Sequence, residues 1–121
     1  MTPPTPTTLP REVLKRSGER AAFDARKIRS AIERAGAATG EFGADEAQLL
    51  AAQVGKVLIH RFHGQAPSIE QIQDVVEHTL IAANHLHTAR AYIAYRDRRA
   101  QLRADKQTLV DVESSINEYL T

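Results

Sequence analysis

Val13-Leu14-Lys15-Arg16-Ser17-Gly18-Glu19-Arg20-Ala21-Ala22-Phe23-Asp24-Ala25-Arg26-Lys27-Ile28 packs two turn signals and five cationic side chains into one short span, and the rest of the chain is organised around it. Ser17-Gly18 predicts a two-residue hairpin loop, since glycine supplies the positive φ that primed turns require. With that loop Lys15 faces Arg20, Leu14 faces Ala21 and Val13 faces Ala22, and opposed residues share a face of the ribbon. A face holding Leu14, Ala21 and Phe23 suits a core. The other holds Val13, Lys15, Arg20 and Ala22, an apolar floor beside two like charges, and wants an anion.

Asp24 is placed to cap a following helix. That helix carries Arg26 and Lys27 in its first turn, where the macrodipole is positive and acidic residues are normally favoured. Local rules break at functional sites, and a helix N-terminus with added cations is a ready phosphate site. The same residues fit a solvated basic surface equally well.

Outward from this stretch, Ile28, Ala31, Ile32 and Ala35 fall on one helical face, with residues 36–43 expected to end the helix and form a loop. A second helix is expected from Ala44 or Asp45, with a stripe of Leu50, Val54, Val57, Leu58 and Phe62 and a stop at Gly64. Pro67 ends a short third strand, and Ser68 opens a third helix, since Ser68 and Gln71 have capping-box spacing ahead of Ile72, Val75, Val76 and Leu80. A fourth helix, starting between Asn84 and Thr88, carries Leu86, Ala89, Tyr92, Ile93 and Tyr95 before the basic run Arg96, Arg98, Arg99 and Arg103. Four amphipathic helices bury their stripes most economically against one another, with the ribbon over one end of the bundle.

The flanks read differently. Residues 1–11 are rich in threonine and proline and read as a disordered tail, leaving 12–105 as the folded domain. Residues 106–121 read as a linker or the start of another domain, because Val110, Val112, Ile116, Tyr119 and Leu120 have little left in the bundle to pack against.

At 121 residues the chain suits one domain with its own core. A net charge of +1 argues against a dedicated nucleic-acid binder, although the cations cluster locally. Without cysteine there is no disulfide, thiolate metal site or cysteine nucleophile. No apolar run is long enough to span a bilayer and no signal peptide opens the chain, so a cytoplasmic protein is expected. His60, His63, His78, His85 and His87 lack the convergent spacing of a metal site. Gly55-Lys56 is not a Walker loop, since Leu50 and Val57 stand where glycine and a hydroxyl are needed. Neither a G-x-S-x-G elbow nor a G-x-G-x-x-G fingerprint occurs, and no catalytic constellation is evident.

Val13-x-Lys15-Arg16-x-Gly18, followed by Phe23-Asp24-x-x-Lys27-Ile28, resembles the opening of the ATP-cone, the regulatory nucleotide-binding domain of ribonucleotide reductases. Residues 67–77 look like that family's third-helix start, and Ala91-Tyr92-Ile93-x-Tyr95-Arg96 looks like its fourth-helix signature. The resemblance implies an α+β, mainly α fold, a four-helix bundle capped by a small three-stranded sheet. It implies ATP or dATP as allosteric effectors, with magnesium, bound by Val13, Lys15, Arg16, Gly18, Asp24, Lys27, Ile28, Ser68 and Arg96. In this reading Val13 packs near adenine, while Lys15, Arg16 and Lys27 meet phosphates. Residues 108–120 resemble the start of the catalytic part of anaerobic ribonucleoside-triphosphate reductase, which makes this chain a regulatory piece without chemistry of its own. Its expected partner is a reductase catalytic part, in the same chain or another, within an oligomer. The alternative is a small helical interaction module whose basic ribbon binds nucleic acid.

Overall fold

The computed structural model describes residues 9–120, with side chains described over 9–106. The Thr/Pro tail up to residue 8 and the side chains of Val110, Val112, Ile116, Tyr119 and Leu120 lie outside the described residues. Strands β1 (Glu12–Leu14) and β2 (Arg20–Ala22) precede helices α1 (Ala25–Thr39), α2 (Ala44–Phe62), α3 (Ile69–Ala82) and α4 (Leu86–Leu120).

The hairpin forms, but in a different register. Glu12 faces Ala22, Val13 faces Ala21 and Leu14 faces Arg20, one residue away from the pairing that a two-residue loop requires. Lys15 N–H donates to the Glu19 carbonyl at 2.8 Å and Gly18 N–H to the Lys15 carbonyl at 3.0 Å, which closes a three-residue loop over residues 16–18. Gly18 ends that loop in the left-handed region at φ 88, the geometry of the next most common hairpin type. A one-residue slip exchanges the faces of one strand relative to the other. Val13, Ala21 and Phe23 are half-buried, whereas Leu14, Arg20 and Ala22 are exposed. The expected facing pair of Lys15 and Arg20 is therefore dissolved, with Lys15 opposite Glu19.

The three-stranded sheet is corrected to two strands. Where the third was expected, a single parallel bridge joins Leu14 to Ser68, made by Leu14 N–H donating to the Pro67 carbonyl at 2.8 Å. The physical reason is local: Pro67 has no N–H to offer, and Ser68 turns at once into α3 as its N-cap.

Helix α1 runs four residues further than glycine at 36 suggested, ending at Gly40 with φ 74. Gly36 is a packing position rather than a breaker, since a Cβ there would run into the ring of Phe42. The third helix begins as expected, with Ser68 Oγ accepting from Gln71 N–H at 3.1 Å and Gln71 Oε1 accepting from Ser68 N–H at 2.8 Å.

Each helix packs against two others, α1 on α2 and α4, α3 on α2 and α4. The shared core comprises Ile32, Ala47, Leu50, Val54, Leu58, Val75, Val76, Leu80, Ala89 and Tyr92. Burial pushes the Tyr92 hydroxyl up to about 12, so it remains a neutral donor. Of the expected α4 stripe, Leu86, Ile93 and Tyr95 are exposed instead, while Thr88 is buried.

At the end of the bundle far from the hairpin, Glu41 accepts from both Thr88 N–H and Thr88 Oγ1, at 2.5 and 2.7 Å. Thr39 Oγ1 lies 2.8 Å from Thr88 Oγ1. The Thr88 hydroxyl chiefly holds the Glu41 carboxyl below its ordinary 4.5. A carboxylate with a depressed folded pKa contributes stability above its unfolded value and loses it as pH falls through the folded one. Thr88→Val is expected to lower the urea midpoint at neutral pH, and its difference from the parent should shrink below about pH 4.5 as Glu41 protonates in both proteins. A pH-independent difference in the denaturation curves would remove Glu41 from the account.

Candidate functional site at the hairpin end

Three elements meet at one end of the bundle. The ribbon leads into α1 through Phe23 and Asp24, and it touches the start of α3 through the Leu14–Ser68 bridge. Arg16 adds an ion pair, its Nε 2.5 Å from Glu70 Oε1, with both side chains 44% exposed. Lys15 shares the bundle-facing side of the ribbon with half-buried Val13, since alternate residues of a strand point the same way.

Asp24 caps α1 from extended backbone, φ −129, accepting from Arg26 N–H at 3.0 Å and from Arg26 Nε at 3.2 Å. The Arg26 side chain first, and its N–H second, hold the Asp24 carboxyl below the ordinary 3.8. The cap thus uses Arg26, the first of the two cations that break the dipole rule. Lys27 is exposed in the same turn and, like Lys15, forms no ion pair among the described residues. Ile28, half-buried, packs against the core beside them.

The remaining expected site residues are occupied within the fold. The Ser68 hydroxyl is committed to the Gln71 N–H. Arg96 is 20% exposed on α4, with Nη1 3.1 Å from Asp74 Oδ1 and in contact with Glu77 Oε1. Asp74 stands one helical turn from Glu70, so both arginines are held by the same side of α3.

Two groups escaped the reading of the sequence. Glu70, the partner of Arg16, lies 54 positions away, and nothing local signals that pairing. Gln73 buries its side-chain Oε1 without a hydrogen-bond partner among the described residues. An unpaired buried amide oxygen is costly, and a donor brought by a ligand would relieve it.

The family model for the ATP cone domain matches residues 11–101. The chain belongs to the ATP-cone family. It is similar to the anaerobic ribonucleoside-triphosphate reductase of Haemophilus influenzae, 33% identical over 106 residues, which are 82% of this chain and 15% of the relative. It is similar to the ribonucleoside-diphosphate reductase subunit alpha of Chlamydia pneumoniae, 32% identical over 101 residues, 78% of this chain and 10% of the relative. A vitamin B12-dependent ribonucleoside-diphosphate reductase of Mycobacterium tuberculosis is 37% identical over 100 residues, 83% of this chain and 14% of the relative. The ATP-cone stretch thus recurs in reductases of several kinds, and the chain spans about a seventh of such relatives or less. No helix of the described residues is long and apolar enough to cross a membrane.

For Ser68 the geometry has a direct consequence. Ser68→Ala should cost about 1 kcal/mol of stability, the usual worth of an N-cap, with Ser68→Asp largely restoring it. Chemical denaturation of the three proteins checks this, and an unchanged midpoint for Ser68→Ala would mean the box contributes nothing.

Proposed function

We propose that this ATP-cone is an allosteric sensor that binds ATP or dATP at the hairpin end of the bundle and reports the bound nucleotide to a reductase catalytic part. One observation carries the reading. Among the described residues Lys15 and Lys27 are exposed without ion pairs beside half-buried Val13 and Ile28, while neighbouring Arg16 and Arg26 already hold carboxylates. An apolar floor for a base and two uncommitted ammonium groups for phosphates are what a nucleotide requires, and the α1 N-terminus adds its own attraction for anions. Arg16 would exchange Glu70 for a phosphate or keep its loop in place, and Gly18 and Asp24 would shape the turn and cap that present the two lysines. Ser68 and Arg96 would hold α3 and α4 in position around them. Magnesium enters as the counter-ion of the nucleotide's phosphates.

In this reading residues 12–105 are the sensing domain, residues 106–121 lead toward the catalytic part, and ATP favours the active reductase while dATP favours an inhibited one. Such a switch needs the two ligands to prefer different states, since equal preference shifts nothing. They differ by one ribose hydroxyl, and the unpartnered Gln73 Oε1 is an acceptor suited to sense it.

A charge-assisted hydrogen bond contributes roughly 1.5 to 3 kcal/mol, so Lys15→Ala and Lys27→Ala should each weaken ATP binding by on the order of tenfold to a hundredfold. Adenosine affinity and melting temperature should stay near those of the parent, because neither lysine is packed. Calorimetry showing parent-like ATP affinity in both variants would overturn the site.

Gln73→Met keeps the bulk of the side chain and removes the acceptor, so it should bring the ATP and dATP affinities closer together. An unchanged ratio by the same calorimetry would remove Gln73 from discrimination while leaving the lysine site standing.

A further inference from the structure

Three arginines are held by carboxylates, and they are not held equally. Arg26 donates to Asp24 inside the cap of α1, through its side chain and through its own N–H. Arg96, on α4, is 20% exposed and lies between Asp74 and Glu77. Arg16 meets Glu70 alone among the described residues, Nε to Oε1 at 2.5 Å, and both side chains are 44% exposed. One carboxylate against one guanidinium in water is a weak pair. A phosphate competes well for such a guanidinium, because it brings more charge and an array of oxygens that matches the planar fork.

The place of Arg16 in the chain also sets it apart. It opens the loop over residues 16–18, which is closed by Lys15 N–H donating to the Glu19 carbonyl and Gly18 N–H donating to the Lys15 carbonyl. Neither bond uses the Arg16 backbone, and β1 is fixed to the start of α3 earlier, where Leu14 N–H donates to the Pro67 carbonyl. The Arg16 side chain is therefore able to change partner while the register of the ribbon stays as it is. Glu70, for its part, stands in the first turn of α3, where the helix dipole favours a negative charge without help from an arginine. The pair orients the loop at modest strength, and its second effect is to set an anion against the guanidinium before any ligand arrives.

We propose that Glu70 holds Arg16 in place of a phosphate in the nucleotide-free protein, that ATP or dATP binds by displacing it, and that Glu70 thereby sets the affinity of the sensor. This rests on the nucleotide site proposed above at Lys15 and Lys27, and it gives Arg16 the part of a phosphate ligand there. Lys15 and Lys27 surrender no ion pair of the described residues when phosphates arrive, whereas Arg16 must surrender Glu70. A ligand without phosphate leaves the pair closed. The exchange also leaves Glu70 unpaired on the α3 stripe that it shares with Asp74 and Glu77. An occupied site then differs from an empty one in the charge that this stripe presents.

Calorimetry with ATP on the full chain tests the exchange through the sign of one substitution. Glu70→Gln keeps the shape of the side chain and removes its charge. With Glu70 as competitor, the variant should bind ATP about two- to fivefold more tightly at low salt, the range that an exposed ion pair accounts for. Glu70→Ala should show the same gain. Were the pair needed in the bound state as well, both variants would bind ATP more weakly. The gain must also run through Arg16, so in an Arg16→Ala background Glu70→Gln should leave ATP affinity nearly as it was, whereas a general effect of removing a negative charge would persist there. Adenosine, which has no phosphate to take Arg16, should bind the parent and Glu70→Gln alike. Weaker or unchanged ATP binding by the Glu70 variants, or a gain that survives Arg16→Ala, would overturn the exchange and leave the lysine site standing. A parent chain that binds neither ATP nor dATP would overturn the site itself, and the exchange with it.

Discussion

One backbone hydrogen bond, from Leu14 N–H to the Pro67 carbonyl, sets the geometry on which the hairpin end depends. Two strands of three residues each make a ribbon that is marginal by itself. Its attachment to the chain just before α3 fixes which edge of β1 faces the bundle's third helix. The opposite edge, at Val13 and Lys15, is then the one that ladders with β2. Register, and with it the side on which Lys15 stands, follows from this attachment together with the three-residue loop.

Helix α3 disposes of the arginines. Glu70, Asp74 and Glu77 fall at i, i+4 and i+7, one stripe of a helix, and this stripe holds Arg16 from the ribbon and Arg96 from α4. A guanidinium bound to carboxylates is poorly placed to take a further anion, whereas an unpaired ammonium is free to do so. The division of labour follows from the chemistry: Arg16 and Arg96 join elements of the fold, and Lys15 and Lys27 form no ion pair among the described residues. The pair of Arg16 and Glu70 is exposed and of modest worth, so its main effect is orientation of the loop.

The two ends of the bundle differ in kind. Opposite the hairpin, Glu41, Thr88 and Thr39 form a closed network around the first turn of α4, satisfying N–H groups that a helix start leaves open. At the hairpin end Lys15 and Lys27 form no ion pair among the described residues, and on α3 the buried Gln73 Oε1 has no hydrogen-bond partner among them. One end is finished by the protein itself, while the other retains polar groups that a ligand could complete.

The helices were legible in the residues, because their causes are local. The capping serine with Gln71, the capping aspartate, and apolar stripes at helical spacing act within one or two turns of the chain; both caps and most of the stripes stand where they were expected, with Leu86, Ile93 and Tyr95 of α4 the exceptions. The cationic cluster at Lys15, Arg16, Arg26 and Lys27 was legible for the same reason. The rest depends on contacts between elements distant along the chain. The hairpin register turned on a loop one residue longer than Ser17-Gly18 suggested, and the third strand shrank to one bridge because Pro67 lacks a donor and Ser68 begins a helix. Gly36 stays inside α1 because Phe42 packs on it, a contact no propensity carries. Which cations are free could not be read in advance, since Glu70 reaches Arg16 and Asp74 reaches Arg96 across more than 20 positions, and pairings at such separations exist only once the helices have packed.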